Sequence, residues 1–152
     1  MMPEQLRNLR VLEVENTELP ERPFKRLLKS IRKMKDLKEL RLVNIAAVEK
    51  YMNELADTLK GLKNLKILDL RQQKIRKREV DALVPLLAES TTIEFLDITD
   101  AIISKNNMGH LWLALHKNIS VYELNYSRIN FFCILEMKAI DAELALNKII
   151  HE

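Results

Sequence analysis

The sequence predicts an α/β fold in which five repeats stack into one curved solenoid, a single domain over residues 1–152. Two observations predict this architecture. First, five segments align at a constant spacing, since they begin at positions 9, 37, 65, 93 and 121. Second, every segment is apolar at its first, fourth, sixth and eleventh places, as at Leu65, Leu68, Leu70 and Ile75. Self-similarity at a fixed period of about 20 to 50 residues is the signature of a repeat architecture.

Each repeat is predicted to consist of a strand, a turn, a helix and a second turn. The fourth and sixth places alternate with exposed places, which is the pattern of a short strand. The second half has an i, i+3, i+4, i+7 stripe, as at Val80, Leu83, Val84 and Leu87, which indicates a helix. Every strand returns through a helix, so the strands should be parallel. Helices need roughly 10 Å of stacking room and strands ~4.8 Å, so the strands should line the concave side.

The ends of the chain depart from this regular pattern. Residues 132–150 form a longer apolar-rich segment, which we interpret as a helix that caps the last repeat. Leu9 opens the first strand, so either Met1–Asn8 folds back over that edge, or a partner or further chain covers it. We favour the second alternative, because so short a segment is little cover for the edge of a parallel sheet. Pro85 should kink the third helix or shift its start.

The repeats carry a resemblance to a known family. The LxxLxL cores begin at Leu9, Leu37, Leu65, Ile93 and Val121, and each 28-residue unit also contains a helix. This pattern resembles the ribonuclease-inhibitor-like class of leucine-rich repeats over nearly the whole chain. Five such repeats followed by a terminal helix are also similar in layout to the actin-capping domain of the tropomodulin family. The resemblance implies a leucine-rich repeat solenoid that binds macromolecules, mostly proteins.

The turns after the strands differ from the family pattern. That pattern usually has Asn or Cys at the ninth place of each repeat, where the side chain satisfies buried backbone groups. The ninth places here hold Thr17, Ile45, Gln73, Ala101 and Ile129. The eighth places are mostly polar and hold Asn16, Asn44, Gln72, Asp100 and Arg128. The register of these turns is therefore expected to differ from the family pattern by one residue.

The composition argues against catalysis and against a membrane span. No apolar run approaches the ~20 residues that cross a bilayer. Cys133 is the single cysteine, which excludes an internal disulfide and fits a reducing compartment. His110 and His116 fall on different helix faces and make a poor metal pair. Two glycines can hardly make a phosphate-binding loop. We therefore predict no enzyme activity, catalytic residue, metal or cofactor, and an intracellular, cytoplasmic location in a cytoskeletal or other large assembly.

The concave sheet is the predicted working surface, because its side chains form ladders about 4.8 Å apart on a rigid frame. Ile67 and Phe95 form a small apolar spot of the kind that anchors interfaces. Arg41 lies between acidic residues on adjacent strands. Asp97, beside Asp69, has no such neutralising neighbour in its row and is expected to accept a basic group from a partner. The predicted partner-binding residues are Val11, Glu13, Glu39, Arg41, Ile67, Asp69, Arg71, Phe95, Asp97, Glu123 and Asn125.

The charge is distributed unevenly along the chain, with a balance of +8 over residues 1–80 and −5 over residues 81–152. The leading hypothesis is a non-enzymatic protein-interaction scaffold, a subunit of a larger assembly, that binds through the concave face or the N-terminal edge. One alternative is an RNA- or DNA-binding accessory protein, although aromatic residues for base stacking are not interleaved with the charges. Another is the substrate-presenting part of a longer enzyme. The predicted anion-binding residues are Arg10, Lys25, Arg26, Lys29, Lys38 and Lys66.

Overall fold

The computed structural model of the chain describes residues 7–128, which form alternating strands and helices. In chain order the elements are β1 (Val11–Glu15), α1 (Glu21–Ile31), β2 (Glu39–Val43), α2 (Ala46–Lys50), α3 (Met52–Leu59), β3 (Ile67–Asp69), β4 (Lys74–Ile75), α4 (Lys77–Glu89), β5 (Phe95–Asp97), β6 (Ile102–Ile103), α5 (Lys105–Lys117) and β7 (Glu123–Asn125). The predicted capping helix at 132–150, Cys133 and nearly all of Met1–Asn8 lie outside the described residues. Within that range, no helix is both long enough and apolar enough to cross a membrane.

One parallel sheet confirms the predicted strand arrangement. Strands β1, β2, β3, β5 and β7 lie side by side in chain order, and each pairs with its neighbour so that equivalent places of successive repeats lie opposite each other. The fourth places therefore form one column across the sheet. Leu40, Leu68 and Leu96 are buried in this column, whereas Leu12 and Leu124 at its two ends are only half-buried. Among the described strands, the middle ones thus have a neighbour on both sides and the outer ones on one side.

The helices pack their apolar stripes against the other face of this sheet, as the spacing predicts. Phe24, Leu28 and Ile31 of α1 are buried, and the corresponding residues of the later helices join the same core. Helix α4 starts at Lys77 and α5 starts at Lys105, which is the equivalent place of the next repeat, so Pro85 does not shift the start of α4. The helix instead continues through the proline to its regular end.

A second, two-stranded parallel sheet connects two of the strand-to-helix turns and was not predicted. Strand β4 pairs with β6, so that Ile75 lies beside Ile103 in the register. Both side chains are buried, which explains why the eleventh place of each repeat is apolar. A two-residue strand is too short to show an alternating pattern in the sequence.

In the turns after β2, β3 and β5 the ninth place points inward, so the expected difference of one residue in register is not observed there. Each eighth-place residue has a positive φ: Asn16 at 47°, Asn44 at 51°, Gln72 at 59°, and Asp100 and Arg128 at 57°. The ninth place then points inward, and there Ile45, Gln73 and Ala101 are buried. Gln73 donates from Nε2 to the Leu42 carbonyl at 2.7 Å, as the usual asparagine would. The apolar side chains at the other two buried positions pack into the core instead.

An asparagine closes the turn between α5 and β7. Asn118 donates from Nδ2 to the carbonyls of Leu87 and Ser90, at 2.6 and 2.7 Å. Its Oδ1 accepts hydrogen bonds from the backbone amides of Ser120 and Val121, both at 2.7 Å. These four bonds satisfy backbone groups in two neighbouring repeats, which is the role that polar side chains play in buried turns. The repeat register is thereby held at the turns as well as in the sheet.

Candidate protein-binding surface

The face of the five-stranded sheet that points away from the helices is defined here as the open sheet face. Successive side chains of a strand point to opposite faces, so the third, fifth and seventh places of each repeat share this side. Because neighbouring strands lie about 4.8 Å apart, these places form three continuous rows. The open sheet face consists of Val11, Glu13, Glu15, Glu39, Arg41, Val43, Ile67, Asp69, Arg71, Phe95, Asp97, Thr99, Glu123, Asn125 and Ser127.

Arg71 connects three strands across this face. Its Nη2 lies 2.8 Å from Oδ2 of Asp69 and 3.2 Å from Oε1 of Glu15, while its Nε lies 3.9 Å from Oδ2 of Asp97. The guanidinium group reaches β1 by passing over Val43, which is buried on the intervening strand. The hydrogen bond to Asp69 is the main cause that raises the pKa of Arg71 above its usual value. One side chain thus fixes the positions of three carboxylates.

The two central aspartates are buried rather than exposed. Asp69 retains 2% of its accessible surface and Asp97 retains 8%. Oδ1 of Asp97 accepts a hydrogen bond from the Thr99 amide at 2.8 Å, and its Oδ2 accepts one from Asn125 Nδ2 at 3.3 Å. The expectation that Asp97 lacks a neutralising neighbour considered only the fifth-place row. Its countercharge comes from Arg71, which stands in the seventh-place row.

Arg41 also pairs differently from the expectation. Its Nη2 lies 2.8 Å from Oε2 of Glu39 on the same strand, rather than pairing with Glu13 and Asp69 on the adjacent strands. This hydrogen bond raises the pKa of Arg41 above its usual value. Glu13 remains exposed, with no ion pair to any described cation.

An apolar spot lies among these charges. Ile67 on β3 and Phe95 on β5 are direct neighbours in the register, and both side chains are half-buried. Val11 on β1 lies in the same row and keeps 45% of its surface exposed. The structure thus brings the two predicted anchor residues together beside the network around Arg71. Glu15 belongs to that network but was missed as a site residue, although two repeat periods separate it from Arg71.

The predicted anion-binding residues divide into two groups. Lys25 and Lys66 already have countercharges, because Lys25 Nζ lies 2.7 Å from Glu21 Oε1 and Lys66 pairs with Glu94. This pairing with Lys66 is the main cause that lowers the pKa of Glu94. The other four predicted residues, Arg10, Arg26, Lys29 and Lys38, are exposed and pair with no carboxylate in residues 7–128.

The N-terminal edge of the sheet is less covered than its interior. Among the described strands, β1 pairs only with β2. Leu12 and Val14 are half-buried there, whereas Leu40 and Leu42 at the same places of the next repeat are fully buried. This edge therefore offers apolar side chains next to the unpaired side of a strand.

In the part of the chain that the structure describes, no cluster of three His, Cys, Asp or Glu residues is arranged to hold a metal ion.

Comparison with known proteins places this geometry in a structural class. No family model matches the chain, and no curated protein matches its sequence. Among solved structures, Actin-Binding Site 2 of leiomodin-1 superposes with a TM-score of 0.80 at 18% identity, covering 97% of this chain and 88% of that one. The tropomodulin C-terminal domain of Caenorhabditis elegans gives a TM-score of 0.54 at 15% identity, covering 82% and 92%.

These two superpositions agree with the class that the repeats predict. The chain has an α/β leucine-rich-repeat fold with a parallel sheet and helices, and it resembles the tropomodulin domain. The identities are low, so the similarity concerns the fold. What the chain binds has to be argued from its own surface.

Proposed function

We propose that this chain is a non-enzymatic protein-binding module, a five-repeat leucine-rich solenoid closed by a capping helix at 132–150. The observation that best supports this function is the composition of the open sheet face. An apolar spot lies there beside charges that are fixed by Arg71. Interfaces commonly have such a centre of apolar anchors surrounded by polar groups. The module serves as a scaffold in a larger intracellular assembly and binds through the open sheet face or through its N-terminal edge.

Actin is the first partner to test. The leiomodin-1 domain that superposes on 97% of this chain is named an actin-binding site. A shared fold alone does not transfer a partner, so the assignment has to be decided by binding. If actin binds, the proposed role is cytoplasmic and cytoskeleton-associated.

The experiment is co-sedimentation of the full chain with actin filaments, using variants of the apolar spot. Replacing both Ile67 and Phe95 with serine should weaken binding about tenfold or more, because central apolar anchors dominate interface energies. The matched control replaces Ile102 and Ile119, which are 65% and 78% exposed and lie outside the open sheet face, with serine. Circular dichroism verifies that every variant is folded. Equal binding by the folded Ile67→Ser/Phe95→Ser variant would remove the open sheet face from the proposal.

The second candidate function is RNA or DNA binding, favoured by the exposed and unpaired cations Arg10 and Lys38. These residues occupy the same place in adjacent repeats and would contact phosphates. Nucleic-acid binding of this kind weakens steeply as the salt concentration rises. A filter-binding assay at low salt tests this function. A chain that retains neither RNA nor DNA on the filter is not a nucleic-acid-binding protein.

A further inference from the structure

Helix α1 carries most of its charge on one outward face. Phe24, Leu28 and Ile31 point into the core, and a turn of about 100° per residue puts Arg22, Arg26 and Lys29 on the opposite side. Lys33 extends this row in the turn after the helix. All four basic side chains are exposed to solvent. The α1 basic stripe is defined as Arg22, Arg26, Lys29 and Lys33.

The side of α1 that faces α3 is neutralised within the chain. Lys25 and Lys50 both pair with Glu21, at 2.7 and 3.3 Å, and their Nζ atoms lie 5.0 and 5.2 Å from the centre of the Tyr51 ring. Tyr51 in turn stacks on Phe24, with the two ring centres 5.9 Å apart. Lys25 and Lys50 on this side therefore both have a partner. The α1 basic stripe pairs with no carboxylate among residues 7–128.

The stripe is unfavourable for the isolated helix. Arg22 and Arg26 are at i, i+4 spacing within the helix, and like charges at this spacing repel each other. Lys33 adds a further positive charge next to Lys29 in the turn after the helix. Arg22 also lies in the first turn, where the helix dipole disfavours a cation. A negatively charged partner would relieve both repulsions.

The surroundings of the stripe indicate what kind of anion fits. Phe24 and Tyr51 are buried, so neither aromatic ring next to α1 is available to stack on a base. No large, fully exposed apolar side chain of the described residues accompanies the stripe, as insertion into a lipid surface would require. Arg22 and Lys33 are about 16 Å apart along the helix axis, at ~1.5 Å per residue. Carboxylates that repeat every three or four positions on a protein helix match that length and spacing.

We propose that the α1 basic stripe is a docking site for an acidic, Asp/Glu-rich segment of a protein partner. The inference rests on the proposed function, because it names the chemistry of one contact with such a partner. It assigns that contact to a surface other than the open sheet face. The open sheet face has six carboxylates and two arginines, so it repels the same segment.

The test uses the full chain and a labelled peptide of about 16 residues with Glu at helical positions i, i+4, i+7 and i+11. Fluorescence anisotropy should show binding of this peptide and none of the same peptide with Gln in place of Glu. The variant Arg26→Glu/Lys29→Glu should bind at least about tenfold more weakly. The control Lys74→Glu/Arg78→Glu changes the net charge equally at two other exposed cations and should lose less than about threefold.

Three outcomes would overturn the inference. Equal losses in the two double variants would mean that only net charge matters. Tighter binding of single-stranded RNA or of phosphatidylserine vesicles through Arg26 and Lys29 would assign the stripe to another class of partner. Absence of peptide binding by the wild-type chain would also refute it. The proposed function is tested separately, since the variant Ile67→Ser/Phe95→Ser should retain the peptide while losing the partner of the open sheet face.

Discussion

Single side chains decide which parts of the open sheet face are rigid. Asp69 is buried, and its main countercharge is Arg71, whose own side chain is about one-third exposed. Burial of an unpaired carboxylate is costly, whereas an ion pair at the surface contributes little. The stability of this face therefore depends more on Arg71 than on Arg41, which pairs with Glu39 in a more exposed position.

Arg71→Gln should lower the free energy of unfolding by about 2 kcal/mol, because it leaves Asp69 buried beside a neutral group. The full cost of an uncompensated buried charge is reduced here, since the guanidinium group is partly solvated. The matched control Arg41→Gln should cost less than about 1 kcal/mol. Urea denaturation of the three proteins measures the difference. Equal costs for the two arginines would contradict the role assigned to Arg71.

Glu21 should make the free energy of unfolding depend on pH in the acidic range. The ammonium group of Lys25, then the nearby Tyr51 hydroxyl, then the ammonium group of Lys50 lower the pKa of Glu21 from 4.5 to about 2. A carboxyl whose pKa is depressed on folding stabilises the fold above its unfolded pKa. That contribution is fully present above about pH 4.5 and is lost as the pH falls through 2.

The measurement is urea unfolding of the wild-type chain and of Glu21→Gln between pH 7 and pH 2. The stability difference between the two proteins should be constant near neutral pH and should shrink below about pH 4.5. A difference that stays constant down to pH 2 would contradict the ion pairs of Glu21 with Lys25 and Lys50.

At the scale of elements, Pro85 tests how strongly the repeat imposes a helix. Residue 85 has no amide hydrogen, so the Asp81 carbonyl lacks its usual bond within α4. Pro85→Ala restores that bond and should raise the free energy of unfolding by about 1–3 kcal/mol. The same place in the next helix is Leu113, which is 62% exposed, and Leu113→Ala should change stability by less than about 0.5 kcal/mol. Thermal denaturation measures both changes. A Pro85→Ala variant that is less stable than the wild-type chain would contradict the prediction.

The long strands and the helices other than the short α2 were predictable, because the same apolar pattern recurs in successive repeats. The stripe of α1 at Phe24, Leu28 and Ile31 is visible in the sequence and is buried in the structure. Strands β4 and β6 were not predictable, because two residues carry no period. The inward direction of Ile45 at a ninth place was not predictable for a similar reason, since a single place cannot show which way its side chain points.

At the scale of the whole molecule, stability should decrease from the middle of the sheet towards its ends. Leu68→Ala opens a cavity in the centre of the column and should cost about 2–5 kcal/mol. Leu12 occupies the same place at the N-terminal edge, where its side chain is half-buried. Leu12→Ala should therefore lower the free energy of unfolding by less than half as much. Urea denaturation measures both values. Equal losses would show that the edge strand is covered as well as the centre.

The candidate surface was predictable only in part. The constant period of the repeats assigns each strand residue to a row, so Ile67 and Phe95 were correctly expected to be neighbours. The repeat period does not indicate how far a long side chain extends across neighbouring strands. The contact from Arg71 to Glu15 crosses between strands, and the pairing of Asp97 with Arg71 crosses between rows. Such contacts depend on side-chain length and rotamer rather than on the repeat.

Binding of a protein partner to the open sheet face can be followed by methyl NMR of the isotope-labelled chain titrated with actin. The methyl signals of Val11 and Ile67 report on that face, whereas Ile102 and Ile119 are exposed elsewhere. If actin binds this face, the signals of the first pair should shift or broaden more than those of the second pair as actin is added. Unchanged spectra at excess actin would exclude actin as the partner, and changes confined to Ile102 and Ile119 would exclude the open sheet face as the binding site.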